Sequence, residues 1–171
     1  MAKKMKPSKV LIERIYSAVR DIGDQAECTR EVISEVLGLY KTDLAGVDFL
    51  YSKQRPCTAG ELSKGTGLSS GATTTLIDRL EKAGFAVRED DPDDRRRQMV
   101  RLSDQASARC EAIYEPIRKD LFKLWSTYRT SELEAIEQFL QKGLKLHAKS
   151  LERLRSTAQK PQSATKRRRQ A

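Results

Sequence analysis

A chain of 171 residues, 33% charged and 38% apolar, is expected to form one largely helical, water-soluble domain with appended helices and surface to spare for an oligomer. No apolar run approaches the about 18–20 residues of a membrane-crossing helix. The opening MAKKMKPSKV has no apolar stretch of signal-peptide length, so a cytoplasmic protein without membrane contact is expected. The net charge of +9 sits at the ends, in four lysines within residues 1–9 and five cations within residues 156–171; between them 24 basic and 24 acidic residues balance. A binding surface on the folded part must therefore come from local placement of charge.

Residues 1–7 read as a basic, disordered start, and Pro7-Ser8 as a helix start with Ser8 as N-cap. Leu11, Ile15, Val19, Ile22 and Ala26 recur at the helix period, and Ile33, Val36 and Leu37 continue the face to Gly38. Gly23 marks either a kink or a break. Thr42 and Asp43 open a shorter helix carrying Leu44, Val47, Leu50 and Tyr51, stopped before Pro56.

Thr58-Ala59-Gly60-Glu61 has the spacing of a capping box, and Gly65-Thr66-Gly67 ends the short helix it opens. Ser69 caps the next, whose stripe is Ala72, Leu76, Ile77 and Leu80, with Gly84 closing it. Two short helices joined by a glycine turn form a helix-turn-helix. Phe85 with Val87, and Val100 with Leu102, alternate as strands do, so the segment between them is the loop of a hairpin. Helix-turn-helix followed by a hairpin is a winged helix: a mainly α fold with a small β component.

After Ser103 the helix period returns in Ala106, Cys110, Ile113, Ile117, Leu121, Leu124 and Tyr128, with Pro116 expected to bend the helix. Ser131-x-x-Glu134 suggests another capping box, followed by a seam of Leu133, Ile136, Leu140, Leu144, His147, Leu151 and Leu154. Residues 157–171 read as a disordered basic tail. The long helices offer more apolar surface than a winged helix of about 60 residues can cover, which points to a second copy of the chain.

The helix opened by Ser69 presents Ser70, Gly71, Thr73, Thr74, Thr75 and then Arg79. Hydroxyls can donate to or accept from base edges, threonine methyls can contact thymine, and free N–H groups at a helix start attract phosphate. A solvated face with serine and threonine for capping explains this segment equally well by itself. In the hairpin loop, Arg95, Arg96 and Arg97 offer a guanidinium for the minor groove, Arg96 projecting oppositely to the other two if the backbone stays extended. The plain alternative is a solvated charge run. Cys28, Cys57 and Cys110 lie far apart, as small buried hydrophobes do, with a redox-sensing thiol as the alternative. His147 has no obvious metal partner. No metal cluster, phosphate loop or nucleophile–base pair marks an enzyme, and no cofactor is expected.

The stretch ELSKGTGLSSGATTTLIDRLEKAGFAVREDDPDDRRRQMVRLS resembles the MarR family of winged-helix transcriptional regulators, closely from about residue 42 to 103 and architecturally in the flanking helices. The resemblance implies a domain over residues 8–156, with dimerisation helices at about 8–39 and 104–156. It implies a homodimer on double-stranded DNA, acting as a repressor at a palindromic operator and answering to small aromatic or phenolic compounds. Ser69, Ser70, Thr73 and Thr74 fall where family members meet the major groove. Asp94 would brace the hairpin and Arg96 reach the minor groove. Thr75 departs from the arginine or other long polar residue common there, which shifts the expected readout toward hydroxyls. For an effector, Tyr40, Trp125 and Tyr128 are candidates, although core packing accounts for each. The competing function is a non-specific architectural DNA-binding protein held by its basic tails.

Overall fold

The computed structural model describes residues 8–94 and 97–158. In chain order the elements are α1 (Lys9–Leu37), α2 (Lys41–Lys53), β1 (Cys57–Thr58), α3 (Ala59–Thr66), α4 (Ser70–Lys82), β2 (Ala86–Asp90), β3 (Gln98–Leu102), α5 (Asp104–Trp125) and α6 (Thr130–Ala158). The chain divides into two compact units, Met1–Pro116 and Ile117–Ala171, with the boundary inside α5. No helix among the described residues is long and apolar enough to cross a membrane.

The first unit is the expected winged helix. Its core gathers Leu44, Val47 and Leu50 from α2, Leu62 from α3, and Leu76, Ile77 and Leu80 from α4. Val100 and Leu102 from β3, Ala106 and Cys110 from α5, Ile33 and Leu37 from α1, and Cys57, Phe85 and Ala86 join it. Leu62, Leu76 and Leu80 are wholly excluded from water, each contributing about 1.5–3 kcal/mol of apolar burial. α1 runs unbroken through Gly23, and Gly38 takes over its C-terminus. A clamp ties α1, α2 and α5 together: Asp48 accepts from the Tyr114 hydroxyl and pairs with Arg30 at 3.2 Å. Burial, and then the hydrogen bond to Asp48, push the Tyr114 hydroxyl above its ordinary range.

The local chemistry of the turns follows the sequence closely. Thr58 Oγ1 accepts from the Glu61 N–H at 3.1 Å while the Glu61 carboxylate accepts from the Thr58 N–H at 2.9 Å, the reciprocal box that starts α3. Gly67 (φ 73°) and Gly84 (φ 76°) are left-handed, a region that side chains with a Cβ enter at a cost, and they turn the chain into and out of α4. Ser103 closes the hairpin onto α5: its hydroxyl donates to Gly84 O at 2.7 Å and accepts from the Ala106 N–H at 3.1 Å.

Three expectations change. The hairpin is part of a three-stranded antiparallel sheet of order β1-β3-β2, because Cys57 and Thr58 pair with Val100 and Met99. On β2 the inward residue is Ala86, opposite Leu102, rather than Val87. Phe85 is buried before the strand begins, its N–H bonded to Leu80 O at 2.8 Å at the end of α4. Finally, α6 starts two residues ahead of the expected cap: the Arg129 N–H donates to Glu132 at 2.9 Å, so Glu132 rather than Glu134 closes the helix start. In the second unit, α5 has continued through Pro116 as one helix and Phe122 packs against Trp125 at 5.7 Å. Of the tail expected over residues 157–171, Thr157 and Ala158 are helical, within α6; residues 159–171 and 1–7 lie outside the described residues.

Candidate DNA-binding surface

α4 offers its first two turns to solvent. Ser69 is the N-cap, its Oγ accepting from the Ala72 N–H at 3.3 Å, and no acidic residue stands in the first turn. The positive end of the helix dipole is left without a local counter-charge, a setting that favours phosphate. Ser69, Ser70, Gly71, Ala72, Thr74 and Thr75 are exposed. Thr73 is not: at 1% exposure it faces the core, in the inward place expected for Ala72, and its side chain has no surface to give to DNA. The helix period explains the exchange, since Thr73 rather than Ala72 stands four residues before Ile77 and three before Leu76.

Arg79 is held by α2. Its Nε lies 3.2 and 3.1 Å from the two carboxylate oxygens of Asp43, and its Nη2 also donates to that carboxylate. Asp43 is buried and Arg79 half-exposed, so the fork fixes α4 against the start of α2 before any contact with DNA. Arg88 on β2 is likewise engaged with Asp78 and Glu81, joining the hairpin to the back of α4. Arg101 on β3 pairs with Glu89 at 2.9 Å and Asp104 at 3.0 Å. These pairs orient α2, α4 and the hairpin relative to one another.

The wing loop is organised around Asp91. Its side chain accepts from the Asp93 N–H at 3.0 Å and stands 3.6 Å from Arg97 Nε, and its own N–H donates to Arg97 O at 3.0 Å. Asp91 is 7% exposed, while its neighbours Asp90 and Asp93 are exposed. Asp94 contributes its carbonyl, which accepts from the Arg97 N–H at 2.8 Å. Arg97 thus closes the loop on Asp91, while Arg95 and Arg96 lie outside the described residues.

Of the effector candidates, Tyr40 is exposed beside α2 in the first unit, and Trp125 and Tyr128 are exposed in the second. In the first unit a cavity of about 190 Å³ opens between α2, β3 and α5, with Tyr51, Gln54, Arg55, Arg101 and Ser107 on its walls. That is below the about 300 Å³ at which drug-sized ligands are usually held, and both guanidiniums are already paired with carboxylates. Burial pushes the Cys57 thiol up and that of Cys110 to about 11, so both stay protonated at neutral pH; Cys28 on α1 is exposed. His147 is exposed on α6.

Known proteins agree with this arrangement. The MarR family model matches residues 47–97, from α2 through the wing. An uncharacterised HTH-type transcriptional regulator of Bacillus subtilis (strain 168), YcgE, is 38% identical over 136 residues, covering 80% of this chain and 88% of its own. The transcriptional repressor MprA of Escherichia coli (strain K12) is 32% identical over 84 residues, 49% of this chain and 48% of that protein. Among solved structures, a MarR family protein from Bacillus stearothermophilus has a TM-score of 0.61 at 20% identity, spanning 84% of this chain and 99% of that one. A mutant of S. aureus MepR bound to an oligodeoxyribonucleotide has a TM-score of 0.52 at 22% identity, spanning 76% and 96%. The chain belongs to the MarR family of DNA-binding transcriptional regulators.

Proposed function

We propose that this regulator is a cytoplasmic homodimeric repressor that binds a near-palindromic operator and releases it when a small aromatic or phenolic effector binds. The observation that carries the DNA-binding surface is the start of α4, exposed, free of acids and lined by small polar residues. Ser69, Ser70, Gly71, Thr74 and Thr75 form the major-groove face, with Arg95, Arg96 and Arg97 at the wing and Arg96 as the minor-groove probe. Asp94 braces the hairpin beside Arg96, and Asp91 adds to the bracing of the loop through the Asp93 N–H and Arg97. Arg79 acts as the brace between α2 and α4, with its exposed edge free to approach phosphate.

Apolar exposure supports the dimer. On α1, Leu11, Ile15, Tyr16, Val19 and Ile22 are all at least 42% exposed. On α6, Ile136, Phe139, Leu140, Leu144 and Leu151 are all at least 41% exposed. Patches of this kind mark interfaces, and a two-fold dimer places its half-sites about 10 bp apart or a multiple of that. An effector changes operator affinity only by binding one arrangement of the dimer better than another. Light scattering of the free protein and of its complex with a duplex selected from a random pool tests this. Two chains per protein particle, two chains per duplex, and release of that duplex by an aromatic carboxylate or phenol are expected. A monomer bound singly to DNA contradicts it.

A further inference from the structure

The threonines of α4 are committed in a way that decides what they can offer to a base. Thr73 Oγ1 donates to Ser69 O at 2.9 Å, Thr74 Oγ1 to Ser70 O at 3.2 Å, and Thr75 Oγ1 to Gly71 O at 3.1 Å. Each hydroxyl gives its one proton to the carbonyl four residues back, so it cannot also give it to guanine N7 or O6, adenine N7 or thymine O4. Thr73 is buried besides. On Thr74 and Thr75, both exposed, the methyl group is left as the substituent without a partner, and the oxygen retains only acceptor capacity. The shift toward hydroxyl readout expected at Thr75 therefore turns into a shift toward methyl readout.

Gly71 adds an independent constraint. It lies three and four residues before Thr74 and Thr75, on the same helix face. A Cβ built on it meets nothing within 4 Å, so packing within the chain does not require glycine there. Glycine inside a helix costs about 1 kcal/mol relative to alanine. With no side chain at position 71 and no long one at 75, the first two turns of this face carry only small side chains between the helix and a groove floor. The apolar feature of the major groove floor is the thymine C5-methyl group.

We propose that Thr74 and Thr75 select thymine by contact between their methyl groups and its C5-methyl, with Gly71 permitting the close approach. This rests on α4 being the recognition helix, as argued under Proposed function. The operator half-site then carries thymine beneath the second turn of α4, and Ser70, whose hydroxyl makes no bond within the chain among the described residues, supplies the donor at the neighbouring base.

The test begins with a duplex selected by the wild-type protein from a random pool. Each thymine in a half-site is then replaced by deoxyuridine, which removes only the methyl group. Replacement at one or two positions per half-site is expected to weaken binding about fourfold each, the equivalent of about 0.8 kcal/mol for one buried methyl-sized group. T74S and T75S, which keep the hydroxyl and drop the methyl, should bind the thymine and deoxyuridine duplexes alike at the matched position. T74V and T75V, which keep a methyl, should retain the difference. Thermal midpoints of all four variants confirm that the fold is intact. Indifference to deoxyuridine at every thymine, with sequence-specific binding preserved, overturns this inference and leaves the proposed function standing. Discrimination that survives in T74S and T75S but disappears in T74V and T75V assigns the readout to the hydroxyl and also overturns it. A pool that yields no preferred sequence removes both.

Discussion

Gly46 sets how closely α2 can lie against α4, and replacing it tests the packing that holds the proposed recognition helix. A methyl built on Gly46 stands 2.9 Å from Leu76 Cδ2 and 3.2 Å from Leu80 Cδ1. Both leucines are fully buried, so neither can swing into solvent to make room. Overpacking of this kind costs about 1–3 kcal/mol, and the better helix propensity of alanine returns about 1 kcal/mol. Gly46→Ala is therefore expected to lose about 1 kcal/mol, and Gly46→Val, which adds volume and β-branching, about 2–3 kcal/mol. Gly71→Ala is the matched control: nothing lies within 4 Å, so the propensity gain of up to about 1 kcal/mol stands unopposed. Thermal melts at fixed protein concentration read the difference, at about 2–4 °C per kcal/mol. Gly46→Ala melting as far above the wild type as Gly71→Ala refutes the close α2–α4 contact.

Local rules made most of this fold legible in the sequence. The Thr58–Glu61 box, the Ser69 cap and the turns at Gly67 and Gly84 depend on residues within a few positions of one another, and all were readable from spacing. What escaped depends on partners far along the chain. β1 is two residues long and exists because Val100 and Met99 come to pair with it. Asp43 carries no local sign that Arg79, 36 residues later, will occupy it. At the candidate site, the period of α4 could have placed Thr73 inward; its hydroxyl character pulled it toward the groove instead. The wing holds four aspartates in five positions, and only the hydrogen bonds of the folded loop single out Asp91.

Arg55 at 2.6 Å, and then the Thr58 N–H, hold the Glu61 carboxyl down to about 2. A depressed carboxyl stabilises the fold above its ordinary value near 4.3, and that contribution fades as pH falls from about 4 to about 2. It amounts to less than about 1 kcal/mol for a side chain this exposed, so urea titrations of Glu61→Gln should differ from wild type at pH 7 and converge by about pH 2. Arg96→Ala should weaken operator binding about tenfold or more in anisotropy titrations, with melting temperature and oligomeric mass unchanged; unaltered affinity contradicts the wing assignment. Removing residues 157–171 should lower affinity for selected and scrambled duplexes by the same modest factor and flatten the salt dependence, whereas loss of nearly all binding favours an architectural protein held by its tail.

The central claim is that α4 and the wing read sequence rather than charge alone. Its most direct test compares affinity for the selected duplex with that for a scrambled duplex of equal length and composition, at physiological salt. A ratio of about 10³ or more is expected, carried by two chains on each selected duplex. Equal affinities, both collapsing together as salt rises, contradict it.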